Sequence, residues 1–248
     1  MKILYEILNE LDYSIEETFT FSSPMKGSEK QFDVLPFVSV KHPSQVYLVV
    51  QISNPELAYI LGSNFLISLA KQFRKQQFHR SEMDKNTTLL LECVCKSSES
   101  VDHLAKVQIE DDPYYFKKYV FSYSTLEEKR AEEYLQSRKN VAEDVFSYVK
   151  EIQSYLSDAD TFSSYKINHT NQPTYTYFSE LATKTPIFPL QIATVDEIKS
   201  VNSFLAEELK KAPTTSVDAL DQLLNLHLDF KEESIDDILS HWNTIVKP

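Results

Sequence analysis

Six histidines, two cysteines and two pairs of adjacent aspartates are the side chains here whose types and spacing could bind a metal or move a proton. The histidines stand at 42, 79, 103, 169, 227 and 241, with no i, i+4 pair beside a carboxylate, so a helical His-Glu-x-x-His zinc site cannot form. Cys93 and Cys95 lie two apart in an apolar run, so on a strand both thiols face the same way. A metal there would need two further ligands, and His103 is near only in sequence; buried, reduced thiols are the expectation. Asp111-Asp112 and Asp236-Asp237 could attract a cation, but beside a proline or in a first helical turn such pairs read as caps or solvated ends. With only Gly27 and Gly62 in 248 residues, no serine sits in a nucleophile elbow. Nor can a P-loop or a dinucleotide fingerprint be built, because each needs several glycines at fixed offsets to bring backbone up to phosphate. None of these patterns calls for a cofactor or a metal, and a non-enzymatic protein is expected.

Charge narrows the partners. The chain carries 25 basic and 37 acidic residues, a net charge of −12, and so repels a phosphate backbone unless it has a local basic face. Lys71, Arg74, Lys75, His79 and Arg80 form the one basic cluster of note. It reads as the positively charged end of a helix, with nucleic-acid contact through Lys71, Arg74, Lys75 and Arg80 as the alternative. An acidic surface favours protein partners of complementary charge. The first thirteen residues, MKILYEILNELDY, have acids within their apolar stretch and do not read as a signal peptide. No apolar run is long enough to span a bilayer, so a cytoplasmic protein without a membrane partner is expected.

The elements that must position these residues change character half-way. The expected fold class is α+β: a mixed α/β domain over 1–124 and a mainly helical region over 125–248. Apolar spacing predicts a helix at 2–12, then β-like TFTFSS at 18–23, FDVLPFVSV at 32–40 and QVYLVVQI at 45–52, with a turn at His42-Pro43. VYLVVQI is apolar at nearly every position and should be a central strand. Asn54-Pro55 opens a long helical stretch to about residue 80, and TLLLECVC at 88–95 is a further interior strand. The segment 100–110 is ambiguous between helix and strand. Thr125 and Glu128 fit a capping box ahead of a charged helix at 126–139, and helix resumes at 141–157. Residues 158–190, rich in Thr, Ser, Tyr and Pro, should wind over the surface. Amphipathic helices at 195–211, 216–229 and 234–246 end the chain, facing either the core or a partner helix.

The order helix, three strands, helix, strand resembles the core of restriction-endonuclease-like nucleases. That resemblance implies an Asp on the second strand and an acid-x-Lys on the third, holding a divalent metal at the scissile phosphate. Asp33 is suitably placed and Glu6 lies on the preceding helix, but the third strand offers Gln51-Ile52-Ser53, which supplies neither carboxylate nor ammonium. Glu92 and Lys96 have the right types four positions apart. The expectation is a dead site in a degraded core, or simply a mixed sheet. A metal-dependent nuclease rearranged around Asp33, Glu92 and Lys96 is the alternative, and a DNA-binding accessory subunit is another.

The densest motif is Ile109–Ser124, IEDDPYYFKKYVFSYS. Its Asp112-Pro113-Tyr114-Tyr115-Phe116-Lys117-Lys118-Tyr119-Val120 resembles the YFKKYV-type segment of middle components of bacterial ABC three-component conflict systems, the group that includes Lamassu anti-phage defence. The resemblance covers about residues 30–150 and implies an adaptor rather than a catalyst. Its implied partners are an SMC-like coiled-coil ATPase that senses invading DNA and an effector, often a nuclease, with DNA reached only through the complex. Tyr114, Tyr115, Phe116, Lys117, Lys118 and Tyr119 are the expected partner-binding residues, since tyrosines bury much area at modest entropic cost. The alternative keeps the aromatics in the core of an ordinary strand. Alternation puts Tyr115, Lys117, Tyr119 and Phe121 on one face and Tyr114, Phe116, Lys118 and Val120 on the other, so one lysine on each face should keep either from full burial.

Overall fold

The most apolar run becomes the middle of a mixed sheet. The computed structural model describes residues 2–25, 27–96, 100–142 and 144–189, and the three helices expected after 195 lie outside them. Strand β4 (Val46–Ser53) pairs antiparallel with β3 (Ser28–Ser39) on one side, Val34 opposite Val50. On its other side it pairs parallel with β5 (Thr87–Cys95), Leu48 beside Leu89. Parallel β6 (Lys117–Ser124) follows, with Val120 beside Leu91. Two short strands, β1 (Tyr13–Ile15) and β2 (Phe19–Met25), share the far edge of β3 and both run antiparallel to it. This is the expected α+β class: a mixed sheet first, helices after it.

Parallel neighbours need crossovers, and here both crossovers lie on one face. Between β4 and β5 run α2 (Asn54–Leu57), α3 (Phe65–Phe73) and α4 (Met83–Asn86), and between β5 and β6 runs α5 (His103–Asp111). Phe65, Leu69 and Phe73 of α3 and Ala105 and Ile109 of α5 pack with Val34, Val50 and Leu91. On the opposite face, α1 (Lys2–Glu10), α6 (Thr125–Val141), α7 (Tyr148–Ser157) and α9 (Pro173–Lys184) cover Tyr47, Val49, Leu90 and Phe121. The compact unit therefore runs from Met1 to Gln191, with the helices after Ser124 built onto the sheet.

Several expectations are corrected by local chemistry. The long helix after Asn54 is broken, because Pro55 and a Ser53–Glu56 capping box start only one turn and the chain then bends through Gly62 before α3. Leu57, Ile60 and Phe65 nevertheless all reach the same core, which is why their spacing imitates one helix. The capping box of α6 lies one residue earlier than expected: Ser124 Oγ accepts the Glu127 N–H at 3.2 Å, and a Glu127 carboxylate oxygen accepts the Ser124 N–H at 2.7 Å. The segment 100–110 resolves as helix α5, capped by Asp102 accepting from the Ala105 N–H at 3.0 Å. The resumed helix starts at Tyr148 rather than 141. Residues 158–190 do not merely wind over the surface. They form α8 (Ala159–Ile167) and α9, and Tyr177, Phe178 and Leu181 of α9 are fully buried. Burial overrides the modest helix propensity of Thr and Tyr there. Cys93 and Cys95 share the crossover-side core as free thiols with Sγ atoms 3.5 Å apart, and that hydrogen bond, then burial, push the Cys93 thiol well up.

The outer edge of β6 would offer unpaired backbone to another strand, and side chains close it. Glu110 Oε1 accepts the Val120 N–H at 2.8 Å while its Oε2 pairs with Lys184 Nζ of α9 at 2.8 Å. Lys106 of α5 pairs with Glu180 of α9 and donates to Ser122 Oγ at 2.9 Å. Two helices on opposite faces are thus clasped over one strand edge. Glu110→Ala leaves the Val120 N–H and the Lys184 ammonium without this partner, and should lower stability by about 1–3 kcal/mol in thermal or urea unfolding. Stability equal to wild type would show that the clasp is ornamental.

Candidate partner-docking site

The junction between α5 and β6 is held by one buried ammonium. Lys118 sits on the crossover-facing side of β6 with its side chain fully enclosed. Its Nζ lies 2.8 Å from Asp112 Oδ1 and donates to the backbone oxygens of Tyr114 at 2.8 Å and Phe116 at 2.9 Å. Three acceptors match the three protons of an ammonium, which is what makes its burial tolerable. Asp112 also accepts the Tyr114 N–H at 3.2 Å. The expectation that a lysine on each face keeps both from burial is therefore wrong for the Lys118 face.

Between these anchors the chain makes a tight turn. The Phe116 N–H donates to the Tyr114 oxygen at 2.9 Å, two residues back, and Tyr115 at its centre has φ 65°. That left-handed backbone disfavours a bulky aromatic residue, and the three bonds of Lys118 hold it in place. Phe116 turns inward, its ring 6.3 Å from that of Phe73. Tyr114 and Tyr115 turn outward, 68% and 46% exposed. Lys117 is exposed and lies 5.3 Å over the ring of Tyr119, which is half-buried on the opposite face of the sheet. Of the six residues expected to bind a partner, the structure puts Tyr114, Tyr115 and Lys117 on the surface and uses Phe116 and Lys118 to build the base beneath them. The Asp112–Lys118 pair was the part the sequence reading missed; its signal was an acid-proline step placed six residues ahead of an inward strand position.

The other candidate residues do not gather. Arg74 Nε bonds both carboxylate oxygens of Asp84, at 3.0 and 3.2 Å, and His79 Nε2 lies 3.0 Å from Asp84 Oδ1. Burial raises the Asp84 pKa, but the bonds to Arg74 and His79 outweigh it and hold the carboxyl below its usual range. Lys71, Lys75 and Arg80 remain exposed around this neutralised pair. Asp33 is exposed on β3, while Glu92 is fully buried on β5 beside Gln51, its pKa pushed up by burial. Lys96 lies just beyond the end of β5. Among the described residues no three His, Cys, Asp or Glu side chains come together as a metal cluster. Where α2 and α6 leave the carboxyl ends of β4 and β6, Glu56 and Glu127 already fill the caps.

Residues 45–149 match the family model of the ABC-three component (ABC-3C) system Middle Component 1. Over this stretch the chain is similar to that family. The Middle Component 1 region runs from β4 into the start of α7, and so contains both parallel pairings, the clasped edge and the whole Lys118-locked turn. The resemblance read from Asp112–Val120 is thereby confirmed. No curated protein and no solved structure matches the chain. A middle component works within a multi-component system, which implies partner proteins. No described helix is long and apolar enough to cross a membrane.

Proposed function

We propose that this chain is a non-catalytic adaptor of a defence complex, bridging an SMC-like coiled-coil ATPase and a toxic effector such as a nuclease. Partner docking falls to the surface made by Tyr114, Tyr115 and Lys117. The observation that carries this reading is the locked turn. A buried ion pair and a left-handed tyrosine hold two exposed aromatic rings on a stiff base, and a strained backbone kept by its surroundings points to function. A backbone fixed before binding loses little entropy on docking. The dispersed positions of Asp33, Glu92 and Lys96 and the neutralisation of Arg74 by Asp84 weigh toward the adaptor over the nuclease and DNA-binding readings.

The test uses the tagged chain expressed with its neighbouring genes. Tyr114→Ala with Tyr115→Ala should lose co-purifying partners at least about tenfold, the effect of one or two interface anchors, while the purified variant unfolds at the wild-type midpoint. Undiminished recovery of partners by the folded variant would overturn the assignment of this surface.

A further inference from the structure

A recess of about 290 Å³ opens at the amino ends of β4, β5 and β6, against Gln45, Lys85, Thr88 and Lys117, the last of these shared with the docking surface. No acidic residue lines it, in a chain with 37 acids. Lys85 and Lys117 are exposed, and neither pairs with a carboxylate among the described residues. The Gln45 side-chain oxygen accepts the Tyr13 hydroxyl at 3.3 Å, which leaves its amide protons as donors. The recess therefore presents two ammonium groups with no carboxylate in its lining to match them, beside the neutral amides and hydroxyls of Gln45, Asn86 and Thr88.

We propose that this recess takes the carboxylate of an acidic segment of the partner protein; this rests on the docking surface proposed above, which Lys117 adjoins. Two point charges on flexible stems suit a single carboxylate, and no arginine fork or glycine nest is present to cradle a phosphate. Val46 and Ile187 supply apolar wall for the methylenes of a glutamate side chain. The chain as a whole carries a net charge of −12 and repels an acidic segment, so a local cationic recess both attracts it and fixes its register.

Titration of the full-length isotope-labelled chain, followed through its backbone amide resonances, tests this with two probes, the capped peptide acetyl-Glu-Glu-Glu-Glu-amide and inorganic phosphate. The peptide should shift Gln45, Thr88 and Lys117 saturably, with a dissociation constant on the order of 1 mM that weakens with added salt. Lys85→Gln should weaken it about fivefold, the loss of one charge-assisted bond. Absent shifts at the recess, or shifts undiminished in Lys85→Gln together with Lys117→Gln, would overturn the proposal. Phosphate binding as tightly as the peptide would also overturn it, making this a free-anion site. Partner recovery by Tyr114→Ala with Tyr115→Ala separates the two levels. Lost partners with a flat titration remove only the recess, whereas retained partners remove the docking surface and the partner segment with it.

Discussion

Lys118→Met is expected to destabilise the fold by about 3–5 kcal/mol, because breaking a buried ion pair from one side leaves the other charge uncompensated. Methionine fills much of the same volume, so the loss isolates the ammonium rather than a cavity. Asp112 would keep its charge at the rim of the core, and the Tyr114 and Phe116 oxygens would lose the donor they share. At roughly 2–4 °C per kcal/mol for a domain of this size, the thermal midpoint should fall by about 10 °C. The second member of the pair gives the internal control. Asp112→Asn added to Lys118→Met should recover part of the loss, since the stranded carboxylate is gone while the two carbonyls remain unsatisfied. A single variant within about 1 kcal/mol of wild type would mean that the turn is not held by Lys118, and the argument for a rigid docking surface would fall with it.

Phe121→Ala is expected to cost about 3–5 kcal/mol through the cavity it leaves. Phe121 is fully buried on the opposite face of β6, with ring centroids 4.7 Å from Tyr123 and 5.2 Å from Tyr177. Tyr177 belongs to α9, beyond the stretch that matches Middle Component 1, so the family region completes its core with helices from outside itself. Urea unfolding of the full chain would measure the loss, and a value below about 1.5 kcal/mol would show that α9 contributes little to this core. The two substitutions probe opposite faces of one strand and share no partner, so their effects should add.

What the sequence made legible follows from where its signals are local. VYLVVQI and TLLLECVC read correctly as interior strands because a strand covered on both faces is apolar at nearly every position. The alternation of Cys93 and Cys95 placed both thiols on one side of the sheet. By contrast, the helix predicted through residue 80 failed because apolar residues on a helix, a turn and a second helix can all face one core. Helix α9 was hidden because Tyr-rich, Thr-rich segments carry weak propensity, and only the tertiary environment shows that Tyr177 and Phe178 are interior. At the candidate site the motif itself was legible as a dense aromatic-basic segment. Its division into surface and foundation was not, since alternation cannot foresee that Asp112 and two carbonyls would complete the shell of Lys118. The capping carboxylates Glu56 and Glu127 show the same limit at smaller scale: the box was recognised once, one residue out of register.

The adaptor reading stands or falls on a three-body recovery. With the effector tagged and the neighbouring genes co-expressed, the account predicts that the coiled-coil ATPase co-purifies only when this chain is present. It also predicts that the Tyr114→Ala, Tyr115→Ala variant severs the link without unfolding. Recovery of the ATPase by the effector in the absence of this chain would contradict the bridging role directly.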